Sequence, residues 1–211
     1  MIYLNNGYFD VLSKISSSDP TPGGGSVAAL TLAHAHALGM MVSRLTLSNK
    51  KWSKGHDSAS EVIKSSTKGI ELSLSLAHED ASAFDSVMDS YRLPKDNDAQ
   101  KTIRERAITS CTINAALAPL KIMRASGDYL QSIVALSRYG NLNALTDLLA
   151  SSELARASSR IASYNVQINL DSLDETEERE SISQEMENLL ELSHASHSNI
   201  ESTILERLEW N

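Results

Sequence analysis

From Val27 to Val42 the chain reads Val-Ala-Ala-Leu-Thr-Leu-Ala-His-Ala-His-Ala-Leu-Gly-Met-Met-Val, apolar on nearly every side of a helical wheel. A helix like that has no stripe suited to water, so other helices must surround it. Its Ala and Gly residues let neighbouring backbones approach closely. The expected fold is therefore built around this segment. No membrane partner is expected, because no run approaches the roughly 20 apolar residues that a span needs.

Elsewhere the apolar residues recur with a 3.6-residue period. Helices are predicted near residues 4–15, 26–48, 56–90, 98–138, 141–164 and 175–209, the fourth bent at Pro119 or broken near Gly127. Proline and glycine cluster only at Asp19-Pro-Thr-Pro-Gly-Gly-Gly-Ser26, and no turn pair sits between alternating strands. The expected class is all-α: a multi-helix bundle around a central apolar helix, in one domain over 1–211. Residues 175–211 form a C-terminal amphipathic helix, whose stripe Ile182, Met186, Leu189, Leu190, Ile200, Ile204 and Leu208 needs a partner surface.

The formal net charge of −8 argues against nucleic acid as the partner, since phosphate binding draws on a basic face. The start lacks the basic and apolar regions of a signal peptide. The lone Cys111 cannot close an internal disulfide. These features point to the cytoplasm.

Four segments carry chemistry. In Pro22-Gly23-Gly24-Gly25-Ser26 the glycines admit a ligand to the backbone, and the free amides of a helix start, capped by Ser26, suit an electron-rich group. The segment equally reads as a Gly-rich turn, and it lacks the Gly-Lys-Ser/Thr ending of a phosphate loop. Asp80 falls on the stripe of Ala77, Phe84, Val87 and Met88, with Asp85 at its margin. A carboxylate on an apolar stripe is paired or carries a raised pKa. General acid–base work and a structural hydrogen bond are both open to it. In Gly140-Asn141-Leu-Asn143-Ala-Leu-Thr-Asp147, Asn141 reads as a cap and Asp147 shares a face with Ala144, Ser151 and Ala155. Asn165 and Asn169 read as exit and turn residues where the fifth helix ends.

Taken in order, these segments resemble the formiminotetrahydrofolate cyclodeaminase / methenyltetrahydrofolate cyclohydrolase family over residues 8–173. The resemblance rests on Thr21–Ser26, Met41-Val-Ser-Arg-Leu-Thr46 with Lys50-Lys51-Trp52, Asp80 to Met88, and Leu93-Pro94-Lys95. Gly140-Asn141…Asp147 and Asn165 to Leu170 complete it. The chain departs from the family at Asp147-Leu-Leu-Ala-Ser, where Asp-Ala-Gly-Val-Ala is common, and at His34 and His36, where small residues are usual.

The resemblance implies an enzyme acting on a one-carbon tetrahydrofolate. It either converts 5-formiminotetrahydrofolate to 5,10-methenyltetrahydrofolate and ammonia, or hydrolyses the methenyl compound to 10-formyltetrahydrofolate. No cofactor beyond the folate and no metal is expected. Asp80 and Asp147 are expected as paired catalytic carboxylates on facing helices, with Asp85 in support. Gly23, Gly24, Gly25 and Ser26 would line the pterin or one-carbon end. Asn141 and Asn165 are expected substrate contacts, and Lys50, Lys51 and Lys95 either hold the glutamate tail or are solvated loop charges. A homodimer with sites near its interface is implied. The competing reading is a non-catalytic helical dimer that binds folate or acts as a scaffold. His34 and His36 point about 200° apart and share no metal. Glu191, His194, His197 and Glu201 read as a polar face of the last helix.

Overall fold

The computed structural model describes residues 7–210, and among these every regular element is helical. In chain order they are α1 (Tyr8–Ile15), α2 (Gly24–Leu47), α3 (His56–Tyr91), α4 (Asp98–Tyr139), α5 (Leu145–Leu170) and α6 (Glu177–Leu208). Short 3₁₀ turns at Lys50–Gly55 and Leu142–Ala144 lead into α3 and α5. Of the first predicted helix, residues 4–6 lie outside the described residues.

Helix α2 packs between α3 and α5, while α4 lies against α3 and α5 and closes on α6. The core forms two clusters. One gathers Leu32, Val42, Leu130, Ile133, Leu148, Ile200 and Ile204; the other joins Ala28, Ala29, Leu120, Met123, Val166 and Met186. Helix α6 thus finds its partner surface within the same chain.

Small residues set the spacing. Ser151 Oγ donates to the Ala35 carbonyl and Ser158 Oγ to the Ala28 carbonyl, each at 2.7 Å. The two serines are seven residues apart on α5 and their acceptors seven apart on α2, so these bonds lock the antiparallel register of the pair. Tyr129 of α4 adds its hydroxyl to Ala35 at 2.8 Å and meets Ser151 as well.

Four expectations are corrected. Helix α2 begins at Gly24 with Gly23 as its cap residue, so Ser26 lies inside the first turn and is no cap. Helix α4 is not broken near Gly127: it runs on from Asp98 to Tyr139 with Pro119 and Gly127 both buried. Helix α5 continues to Leu170 although Asn165 and Asn169 are weak helix formers. Their side chains bond the carbonyls of Ile161 and Asn165, and Val166 and Leu170 are buried, so packing outweighs propensity.

Lastly, α2 is not wrapped on all sides. It is long and apolar enough to cross a membrane by length and composition, yet 56% of its most apolar window is buried, as suits a core helix. Its remaining face leaves His34, Ala37, Met41 and Leu45 exposed, flanked by half-buried Leu30 and Leu38. Tyr8 of α1 stacks edge-on against His34, and Phe9, Val11 and Leu12 are exposed beside it in the chain.

Candidate functional site

The turn at residues 19–23 sets the start of α2 against the C-terminal half of α3 and the last turns of α5. A cavity of about 260 Å³ lies between them, lined by Gly23, Gly24, Gly25, Asp80, Phe84, Val87, Ala115, Asn165 and Asn169. Each element has a local reason to be there. The α2 start supplies first-turn amides that have no partner within the helix. Helix α3 reaches the site because its apolar stripe continues past Leu76 to Phe84 and Val87, which here face the cavity. Helix α5 reaches it because of the two extra turns that bury Val166 and Leu170.

Asp80 is the titratable group in this cavity. Its Oδ2 accepts a hydrogen bond from Ser26 Oγ at 3.0 Å. Burial pushes its carboxyl above the usual carboxylate range, while the Ser26 hydroxyl and amide pull the other way. A carboxyl whose pKa is raised by burial holds a proton more readily than a solvated one, which suits it to general acid–base work. The glycines are used differently from expectation. A Cβ on Gly25 would overlap Asp80 Oδ1 and lie 2.6 Å from Asp80 Cγ, so this glycine makes room for the carboxylate. A Cβ on Gly24 would meet only Asn165 Nδ2, at an ordinary 3.5 Å.

The expected site residues divide into two groups. Gly23, Gly24, Gly25, Ser26, Asp80 and Asn165 come together at this cavity. Asp85 faces an adjoining exposed groove with Pro20, Met88 and Arg92. Lys95 is exposed in the α3–α4 loop, past the end of a helix that rises about 17 Å from Asp80 to Tyr91.

Lys50, Lys51, Asn141 and Asp147 lie at the other end of the bundle. The Asn141 amide donates to Thr46 Oγ1 at 3.0 Å and its Nδ2 to the Leu45 carbonyl at 3.2 Å, which ties this loop to the C-terminal end of α2. Lys50 and Lys51 are exposed there, with Lys51 Nζ 4.8 Å above the Trp52 ring. Asp147, in the first turn of α5, is about 27 Å along the helix from Asn165. Asp80 and Asp147 of one chain therefore do not pair, contrary to expectation. The reason is length: both residues sit on long straight elements, at opposite ends.

The bulky Leu148 and Leu149 belong to that far end. Leu148 is fully buried in the core and Leu149 packs beside it, so neither narrows the cavity. His36 is buried, with Nδ1 3.0 Å from Ser66 Oγ, and burial pushes its pKa down to about 4. Buried His197 meets Glu153 of α5 at 3.2 Å and Glu201 at 3.8 Å, a grouping of ligand-like reach. Arg156 already holds Glu153 with two hydrogen bonds, supplying the positive charge this cluster needs. Sequence spacing within α6 did not bring in Glu153.

Asn169, whose sequence context reads as a turn, lies instead on the helical wall of the cavity. Its signal was the four-residue spacing from Asn165, which becomes one helical face once α5 is extended.

Residues 8–188 match the family model described as Formiminotransferase-cyclodeaminase. A methenyltetrahydrofolate cyclohydrolase of Methylorubrum extorquens is 33% identical over 194 residues, covering 92% of this chain and 93% of that protein. The formimidoyltransferase-cyclodeaminase of Mus musculus is 27% identical over 157 residues; the match covers 74% of this chain but 29% of that longer protein. The crystal structure of formiminotetrahydrofolate cyclodeaminase from Thermotoga maritima superposes with a TM-score of 0.79 at 24% identity, covering 97% of this chain and 96% of that one. That likeness shows the same helical fold.

Proposed function

The chain belongs to the formiminotransferase-cyclodeaminase family, and on that premise we propose that it is a one-carbon tetrahydrofolate enzyme whose chemistry is centred on Asp80. The observation that carries the reading is the single carboxyl of raised pKa set in the cavity against the start of α2, where the Ser26 hydroxyl and amide meet it. Hydrolysis of 5,10-methenyltetrahydrofolate to 10-formyltetrahydrofolate is favoured by the 33% identity to a cyclohydrolase of matching length.

The steps balance with one carboxylate. Water adds to the cationic methenyl carbon while Asp80 takes its proton, giving a neutral carbinol. The carbon–N5 bond then breaks, the carbinol oxygen loses its proton to become the formyl carbonyl, and Asp80 returns a proton to N5. One proton is released overall. The first-turn amides of α2 stabilise negative charge growing on the carbinol oxygen. No electron changes hands, so the reading needs no cofactor beyond the tetrahydrofolate.

The same carboxyl serves the deaminase reaction: N10 attacks the carbon of the protonated formimino group (CH=NH2⁺) and loses its proton to Asp80, which passes it to the resulting amino nitrogen; ammonia then leaves and the methenyl cation remains. Lys95, beyond the outer groove, is placed for the glutamate tail of either substrate.

The reading includes a homodimer. Its support is the stripe of α2 from Leu30 through His34, Ala37 and Met41 to Leu45, which among the described residues stays largely exposed, met at His34 by Tyr8, and runs on to the exposed apolar residues of α1. Two such stripes paired antiparallel would bring the Lys50, Lys51, Asn141 and Asp147 end of one copy towards the glycine turn of the other. The separated groups of expected site residues would then share one site, with Asp147 entering from the second copy.

The test is to mix purified protein with 5,10-methenyltetrahydrofolate, and separately with 5-formiminotetrahydrofolate, while following methenyl absorbance. Loss above the uncatalysed rate is the expected result. Formation with ammonia release would assign the deaminase reaction, and silence in both from folded protein would overturn the enzyme reading in favour of a binding subunit.

A further inference from the structure

Pro119 has no backbone N–H, so the carbonyl of Ala115, four residues earlier in α4, is left without its helical donor. Asn169 fills that vacancy. Its Nδ2 donates to the Ala115 carbonyl at 3.0 Å and to the Asn165 carbonyl at 2.7 Å. Two carbonyl partners fix which end of the amide is nitrogen, because an oxygen there would face two acceptors. One turn earlier, Asn165 Nδ2 donates to the Ile161 carbonyl at 3.0 Å. Both amide nitrogens are thereby held by backbone, and both residues line the cavity with Asp80 and the α2 start. What the pair offers a ligand is its two Oδ1 atoms, with no protein donor among the described residues.

Resting on the folate reading above, we propose that Asn165 and Asn169 form a fixed acceptor edge for the N–H edge of the pterin ring, its 2-amino group and N3–H. Asn169 is the specificity-determining member and Pro119 its positioning residue. The arrangement suits a ring that presents adjacent donors, because two immobilised acceptors gain hydrogen bonds without ordering cost and reject a ring edge that lacks donors.

The experiment measures equilibrium binding of 5-formyltetrahydrofolate and of its 2-desamino-2-methyl analogue, first to the unaltered protein. The expected result is roughly 10-fold weaker binding of the analogue, the size of one neutral hydrogen bond left unmade in a confined site. Asn169→Ala, with its fold checked by circular dichroism, is expected to reduce that preference to below about 3-fold by weakening the parent ligand alone. Asn165→Ala removes the acceptor for the N3–H that both ligands keep, so it is expected to weaken both alike and leave the preference in place. Equal binding of the two ligands by the unaltered protein overturns the proposal without any variant. A preference that survives in folded Asn169→Ala overturns it too. Binding of neither ligand removes the folate reading itself, and this inference with it.

Discussion

The carboxylate of Asp80 occupies the volume that a Cβ on Gly25 would need, while the neighbouring Gly24 faces only the edge of Asn165. The two glycines should therefore respond differently to the same change. Gly25→Ala is expected to displace Asp80, abolish turnover and cost about 2 kcal/mol of stability as an overpacked contact. Gly24→Ala is expected to keep its stability, since the added methyl makes only an ordinary contact with Asn165, and to act on KM, since that methyl stands in the cavity. Denaturant unfolding and steady-state kinetics on the two variants decide this, and equal effects would deny the contact.

Replacing Asp80 by Asn keeps the shape of the side chain and removes its proton chemistry. Turnover is expected to fall by about 10² to 10⁴-fold with folate binding retained. A base works when ionised, so the unaltered enzyme should lose kcat/KM as pH falls through a value above the usual carboxylate range, because burial raises the Asp80 pKa. A profile with its acid limb at an ordinary carboxylate pKa would assign the limb to another group.

His36 gives a stability test with a definite sign. Its folded pKa is pushed down to about 4 from 6.5, so the unfolded chain binds the extra proton between those values. Stability from this residue is complete above pH 6.5, is lost as pH falls from there, and levels off below about pH 4. The loss is at most about 3 kcal/mol. Comparing urea unfolding of the unaltered protein with His36→Gln across pH 7 to 4 isolates it from the carboxylates, and parallel curves would refute it.

Leu148 stands where the family commonly has a small residue, and it is fully buried at the far end of α5. Leu148→Ala is expected to cost about 2–5 kcal/mol as a core cavity while leaving kcat per folded molecule unchanged. A change in kcat with little loss of stability would show that Leu148 shapes the site itself and does not only fill the core beneath Asp147.

Shared sites predict complementation. Asp80→Asn and Asp147→Asn, each inactive alone, should regain up to about a quarter of normal activity when mixed through unfolding and refolding, because half the dimers are mixed and each carries one intact site. No recovery from a mixture shown to contain mixed dimers would confine the site to one chain.

Much of this was legible in the residues. Helix number followed from the apolar period, and Asp80 stood out because it interrupts an apolar stripe. The glycine turn could be placed at a helix start, though not the use made of Gly25, which depends on a residue from a different helix. Asp147, Lys50 and Lys51 belong to the same ordered set of motifs as Asp80 yet lie at the opposite end, because sequence order carries no information on where long antiparallel helices terminate in space. Asn169 was hidden by its low helix propensity; its role depends on a carbonyl vacated by Pro119, fifty residues away, which no local pattern reports. Glu153 beside His197 was hidden likewise by lying on another helix.

The serine bonds from α5 to Ala28 and Ala35 have a bearing on evolution at a distance. They measure out, from the middle of the protein, where the end of α5 stops relative to the start of α2. A slip of one heptad would carry Asn165 about 10 Å away from Gly24. Loss of specificity in a descendant of this protein need not begin at the cavity; it can begin at a hydroxyl three turns away that touches no substrate, and reversion there would restore it.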